Sequence, residues 1–168
     1  LKIEKKFTSG FEVFGMDNHL YNPLIFIGKN NTSIKVKPVN LNEGEKYFVE
    51  TLKKYAEKNI KYFADKELYL LRNQVGSLGF FEEGNFYPDF IMWIIDGDKQ
   101  YINFIDPKGI REEGLNSSKI GLAKTIKKYQ EQLKDESIVM NSFILSVTPY
   151  KELEFKTNWE IEEYYQNN

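Results

Sequence analysis

The chain has 168 residues, no cysteine and a formal net charge of −2. This length suits one domain with a sizeable core, and a hydrophobic content of 41% excludes a disordered polypeptide. The absence of cysteine excludes disulfide scaffolds, thiolate zinc sites and cysteine nucleophiles. No apolar run approaches the roughly 20 residues of a transmembrane helix and no signal peptide opens the sequence, so we expect a cytoplasmic protein.

The first forty residues alternate short β-type runs with turn residues. Strands are predicted at residues 11–14, 24–27 and 33–38, with a turn at residues 29–32. We interpret residues 1–40 as a small N-terminal β appendage of the same domain, whose main part extends over residues 41–168.

A helical pattern begins after Asn42. Its predicted inward face comprises Phe48, Leu52, Tyr55 and Ala56. Residues 67–71 follow as a predicted strand and residues 75–79 as a loop.

A β-hairpin is the strongest local signal in the sequence. Its arms are residues 90–95 and 101–105, joined by the turn Asp96-Gly97-Asp98-Lys99. An Asp-Gly dipeptide supplies the positive φ angles of a two-residue hairpin loop. Asp89 precedes the first arm and Asp106 follows the second, so the hairpin predicts that these two carboxylates lie together.

A second helix and a last strand complete the predicted core. Ser117 or Ser118 caps this helix, and its apolar positions are Ile120, Ala123, Ile126, Tyr129 and Leu133. The last strand is predicted at residues 142–147, and a short C-terminal helix at residues 158–165. The order helix, strand, strand, strand, helix, strand predicts an α/β fold with a mixed sheet, because the second helix returns the chain to a parallel position.

The ends of the hairpin carry the residues for phosphodiester hydrolysis, which needs neutralised phosphate charge and an activated water. Mg²⁺ meets both needs, and one or two carboxylates hold it together with water and substrate phosphate. Asp89 and Asp106 are the candidate carboxylates. Pro107 offers a carbonyl oxygen, and Lys108 lies two positions beyond Asp106, on the same strand face, where it would assist the attacking water.

Each of these residues also has an ordinary structural explanation. Asp89 suits a common Pro-Asp turn, and Asp106 with Lys108 suits a surface ion pair of small consequence. Their placement at the two ends of one hairpin favours the metal-dependent phosphodiesterase.

Pro88-Asp89 and Asp106-Pro107-Lys108, in this order of elements, resemble the PD-(D/E)xK nuclease superfamily over roughly residues 42–149. Residues 80–90 and 101–109 look more narrowly like the C-terminal nuclease region of type III restriction enzyme restriction subunits and of related DEAD/DEAH-type helicase-nucleases. The resemblance implies a restriction-endonuclease-like αβββαβ core.

The same resemblance implies cleavage of double-stranded DNA with Mg²⁺, for which Mn²⁺ substitutes. It further implies an ATP-driven helicase region in the same polypeptide and a modification methyltransferase subunit. The sequence contains no G-x-x-x-x-G-K-[ST] motif, so ATP belongs to a motor outside this chain. Because the chain starts at Leu1 rather than Met, we expect a piece of a larger protein. The alternative function is a catalytically inactive nuclease-like domain for DNA binding or subunit docking.

The superfamily commonly adds an acidic residue from the first helix, and Glu45 is the candidate because it shares the inward face with Phe48 and Leu52. Glu50 is the second choice. With Asn42 as helix cap, Glu45 equally suits a capping box without metal.

Several further polar residues have two interpretations. Arg72 and Asn73 either approach the same cleft or end their strand in solvent. Two lysine groups would either contact phosphates or lie on solvated helix faces, and we favour the solvated faces for most of them. These groups are Lys119, Lys124, Lys127 and Lys128, and Lys53, Lys54, Lys58 and Lys61.

Overall fold

A computed structural model describes residues 5–7, 11–20, 24–29, 40–80, 86–107 and 118–145. The predicted strand at residues 33–38 and the predicted helix at residues 158–165 lie outside the described residues, as does Lys108. The described elements, in chain order, are β1 Lys5–Phe7, β2 Phe11–Val13, β3 His19–Leu20, β4 Ile25–Ile27, α1 Glu43–Lys58, α2 Ile60–Phe63, β5 Lys66–Arg72, β6 Phe90–Asp96, β7 Lys99–Asp106, α3 Ser118–Leu133 and β8 Ile138–Ile144.

Two sheets organise these strands. A three-stranded antiparallel sheet has the order β1-β2-β4, and a five-stranded sheet has the order β3-β5-β6-β7-β8. In the larger sheet, β3 pairs with β5 and β7 pairs with β8 in parallel, while β5, β6 and β7 pair antiparallel. The predicted α/β class with a mixed sheet is therefore confirmed.

Helices cover both faces of the larger sheet, because its central strands carry apolar side chains on both faces. On one face, Phe48 and Val49 of α1 belong to a core cluster with Leu70, Phe90 and Ile105. The rings of Phe48 and Phe90 are 5.0 Å apart.

On the opposite face, Leu122 and Ile126 of α3 form a second cluster with Ile91, Phe104 and Met140. The sheet thus lies between α1 and α3. Within the described ranges, no helix has the length and apolar content that a membrane crossing requires.

The start of α1 agrees with the prediction, but its inward face is shorter than predicted. Asn42 is the N-cap residue. Tyr55, predicted to be inward, is 54% exposed and its ring contacts Phe63 of α2 at 6.2 Å. Only the first half of α1 contributes to the core cluster, ending at Leu52, so the later helical turns extend past the apolar surface that they would otherwise cover.

The hairpin of β6 and β7 is confirmed, with one correction at its turn. Asp96 pairs with Lys99, as the predicted turn over residues 96–99 requires, but of the Asp-Gly dipeptide expected to supply positive φ angles only Gly97 has one. Gly97 has a φ of +57°, which glycine adopts without the steric cost that a side chain imposes. Asp98 is not among the residues with positive φ, as expected when glycine is the first of two loop residues.

The last strand begins at Ile138, four residues earlier than the predicted start at Ser142. α3 ends in a sharp turn in which Lys134 has a φ of +51°. Asp135 Oδ1 then accepts hydrogen bonds from the backbone N and the hydroxyl of Ser137, at 2.9 and 2.6 Å. These bonds hold the pKa of Asp135 below its ordinary value. After this turn the chain continues directly into β8, whose first residue, Ile138, pairs in parallel with Gln100 of β7.

Candidate functional site

The open end of the hairpin brings Asp89 and Asp106 to neighbouring positions. Asp106 is the last residue of β7, and Asp89 immediately precedes β6. Phe90 pairs with Ile105, and extending this antiparallel register by one residue sets Asp89 opposite Asp106. Directly opposed residues of an antiparallel pair have Cβ atoms about 5 Å apart, so two carboxylates share one small region.

These two carboxylates lie in a largely buried part of the protein. Asp106 is 2% exposed, and Asp89 Oδ2 and Asp106 Oδ1 are buried oxygen atoms. Pro88 and Pro107, beside them in the chain, are among the most deeply buried residues. Every donor here is oxygen, which is the ligand type that Mg²⁺ and Mn²⁺ prefer. The donor set therefore suits a hard divalent cation.

Pro107 lies against the first turn of α1. A Cβ atom built on Gly44 would be 2.3 Å from the carbonyl oxygen of Pro107, far inside normal van der Waals contact. Only glycine allows this approach of helix and strand end. Gly44 directly precedes Glu45 and Pro107 directly follows Asp106, so this contact brings the start of α1 close to the end of β7.

Glu45 forms the capping box that the sequence offered as the alternative to metal ligation. Asn42 Oδ1 accepts a hydrogen bond from the backbone N of Glu45 at 2.9 Å, and Glu45 Oε2 accepts one from the backbone N of Asn42 at 2.7 Å. Glu45 Oε2 also lies 3.4 Å from Arg72 Nη2. The carboxylate thus serves a helix cap and an ion pair, and metal ligation by Glu45 stays a prediction. Glu50, the second choice, lies 4.0 Å from Lys46 Nζ.

The side chains of Asp106 and Glu45 approach from different faces of the sheet. Ile105 belongs to the cluster around α1, and Phe104 to the cluster around α3. Since successive strand side chains alternate between faces, Asp106 is directed to the face that α3 covers. Glu45 lies on the α1 face with Arg72. Among the described residues, no group of three histidine, cysteine or acidic side chains is arranged to hold one metal ion.

Arg72 and Asn73 do not end their strand in solvent, because they are only 6% and 8% exposed. The backbone N of Asn73 donates to the carbonyl of Asp89 at 2.9 Å. Asn73 Nδ2 donates to the carbonyls of Pro88 and Leu78, at 2.8 and 2.7 Å. Asn73 therefore holds the backbone of the Pro88-Asp89 segment. Sequence reasoning left this role open, although two polar residues directly after an apolar strand were its signal.

The lysine groups divide into solvated and bonded members. Lys54, Lys58, Lys61 and Lys128 are exposed, as favoured from the sequence, and Lys53 lies 4.0 Å from Glu57. Lys127 instead donates to the carbonyl of Met140 at 2.6 Å. The side chains of Lys119 and Lys124 lie outside the described part of the chain.

Fold and site define an α/β protein with a mixed sheet and a pair of aspartates at the open end of its central hairpin. No family model, no curated protein and no solved structure matches the chain.

Proposed function

We propose that this chain is a divalent-metal-dependent DNA endonuclease domain, with Mg²⁺ as the metal, serving as the cleavage module of a type III restriction-type helicase-nuclease. The observation that carries the proposal is the register of β6 and β7, which opposes Asp89 and Asp106. The order α1, β5, β6, β7, α3, β8 supports it, because it has the helix and strand sequence of the αβββαβ nuclease core once the short α2 is set aside.

In this proposal, Asp89 and Asp106 would hold the cation through their carboxylates, and the carbonyl of Pro107 would be a further oxygen ligand. A bound divalent cation neutralises phosphate charge and lowers the pKa of a coordinated water. Lys108, two residues beyond Asp106 in the sequence, would orient the attacking water or offset the developing charge. Glu45 is the remaining candidate acid, from the first turn of α1.

The partners in this proposal are double-stranded DNA, a helicase region of the same polypeptide and a modification methyltransferase subunit. The net charge of −2 supplies no global positive field, so contacts with phosphates would come from local groups of lysine and arginine. The exposed lysines of α1 and α2 are available for such local contacts.

A catalytically inactive nuclease-like domain for DNA binding or subunit docking is the second candidate. It is favoured by the engagement of Glu45 with Arg72 and Asn42, which leaves two described carboxylates at the site. The two candidates differ in metal binding. A catalytic domain gains stability from Mn²⁺, because a ligand that binds only the folded state raises the melting temperature.

The test uses the full chain in Mn²⁺ titration calorimetry and in nicking of plasmid DNA. We expect Asp89→Asn and Asp106→Asn to weaken Mn²⁺ binding by more than about tenfold, since even changes beyond the first ligand shell cost roughly 10–100-fold. Both variants should also abolish nicking.

Asp98→Asn, at the exposed closed end of the same hairpin, is the matched control and should behave as wild type. A wild-type chain that binds DNA but shows neither a Mn²⁺ isotherm nor a Mn²⁺-dependent melting temperature would support the inactive domain and refute the nuclease.

A further inference from the structure

Arg72 and Glu45 form a buried ion pair that helix capping alone does not require. Arg72 Nη2 is 3.4 Å from Glu45 Oε2, and the two side chains are 7% and 11% exposed. Removing two charges from water is costly, and their attraction repays this cost only with good geometry and additional hydrogen bonds. A capping box alone requires no arginine and accepts glutamine in place of glutamate.

The two residues belong to the elements that support the two aspartates. Arg72 is the last residue of β5 and pairs with Phe90. Its neighbour Asn73 bonds the backbone of Pro88 and Asp89. Arg72 therefore lies at the end of β5, directly before the residue that holds the backbone of Asp89.

Glu45 lies in the first turn of α1, directly after Gly44, which abuts the carbonyl of Pro107. The second member of the pair therefore belongs to the element that closes on Asp106 and Pro107. An ion pair between the end of β5 and the start of α1 therefore ties together the two elements that contact the Pro88-Asp89 and Asp106-Pro107 segments.

We propose that Arg72 and Glu45 are positioning residues of the metal site, and that Glu45 acts through Arg72 rather than as a ligand. This inference rests on the proposed function and refines it. The alternation of side chains along β7 directs Asp106 to the face that α3 covers, whereas Glu45 lies on the face that α1 covers. Both described contacts of the Glu45 carboxylate, with the backbone N of Asn42 and with Arg72 Nη2, are made by Oε2, and they hold this carboxylate between the helix cap and the end of β5.

Mn²⁺ binding by the full chain distinguishes a positioning residue from a ligand. Glu45→Gln keeps one acceptor oxygen for Asn42 and Arg72, and we expect its Mn²⁺ affinity to stay within about threefold of wild type, whereas loss of a ligand costs more than the roughly 10–100-fold of an outer-shell change. Arg72→Met should weaken Mn²⁺ binding by about 10–100-fold, and Arg72→Lys should restore part of that loss.

Two controls separate positioning from general destabilisation. Ile138→Ala, at the start of β8 where this residue pairs with Gln100 near the closed end of the hairpin, lowers stability away from the site and should leave the Mn²⁺ affinity unchanged. Urea unfolding of Glu45→Ala, Arg72→Met and the double variant should show coupling, because each of these single changes already removes the interaction.

The outcomes are distinct. An affinity loss in Glu45→Gln as large as in Asp106→Asn, with Arg72→Met unaffected, makes Glu45 a ligand and overturns the positioning role while sustaining the proposed function. Additive unfolding effects also overturn the pair. A wild-type chain without Mn²⁺ binding overturns the proposed function, and the positioning role with it.

Discussion

Gly44 shows how a single residue sets the distance between a helix and a strand end. A Cβ atom at this position would meet the carbonyl oxygen of Pro107 at 2.3 Å and Asn42 Oδ1 at 3.3 Å. The closer of these atoms belongs to the backbone, which a rotamer change cannot move. The first turn of α1 therefore approaches the Asp106-Pro107 segment only because the side chain is missing.

Gly44→Ala should destabilise the protein although alanine is the better helix former. The gain in helix propensity is about 1 kcal/mol, whereas overpacking against rigid backbone costs about 2–3 kcal/mol. We expect a net loss of about 1–2 kcal/mol in the free energy of unfolding, measured by urea denaturation. Glu43→Ala, exposed and one residue earlier, is the control and should change little. A more stable Gly44→Ala variant would show that α1 does not rest on Pro107.

At the scale of an element, β8 is an edge strand that α3 protects. Within the described part of the chain, it pairs with β7 alone, and edge strands expose backbone groups that invite pairing with other chains. Gln130 Oε1 accepts from the backbone N of Met140 at 2.8 Å, and Lys127 Nζ donates to the Met140 carbonyl and to Asn141 Oδ1 at 2.6 and 3.0 Å. Two helix side chains thus replace a neighbouring strand at this residue.

Gln130→Met removes the acceptor for the Met140 N–H while keeping the size of the side chain. We expect the free energy of unfolding to fall by about 1 kcal/mol, the usual net contribution of one hydrogen bond. The amide of Met140 should also exchange faster with solvent, and hydrogen exchange measured by NMR checks this. Lys128→Met, at an exposed position of the same helix, should leave that amide unchanged. Equal hydrogen-exchange rates of the Met140 amide in Gln130→Met and wild type would contradict the protection of β8 by this side chain of α3.

At the scale of the whole molecule, the N-terminal region and α1 share one core. Leu24 is 1% exposed and belongs to the cluster with Leu41, Phe48 and Val49. Lys46 of α1 lies 3.0 Å from Glu12 Oε2. The β appendage is therefore tied to the main sheet by apolar and ionic contacts.

Leu24→Ala should consequently weaken the entire fold. Truncation of a buried leucine costs about 2–5 kcal/mol, and a shared core should pass this loss to a single cooperative unfolding transition. Urea denaturation followed by fluorescence and by circular dichroism measures it. Leu78→Ala, at a position that is 40% exposed, is the control. A separate early transition would show that residues 1–40 fold as an independent unit.

The predictions from sequence succeeded where neighbours along the chain supply the physical cause. The start of α1 follows from the capping residues Asn42 and Glu45, and the hairpin follows from Gly97 between two β-branched and aromatic arms. The predictions failed where contacts between residues distant in the sequence determine burial or strand pairing. Tyr55 is exposed because the core ends before it, and β3 exists only through its parallel pairing with β5.

The sequence by itself determined the α/β class, the central hairpin and the meeting of Asp89 with Asp106, because turn chemistry and strand alternation are local properties of the chain. The tertiary structure alone decided that Glu45, besides its capping box with Asn42, also pairs with Arg72. Arg72 lies 27 residues away in sequence, and only the packing of α1 against the end of β5 brings its guanidinium to that carboxylate. Periodicity assigns a side chain to a face, but it cannot supply a partner from another element.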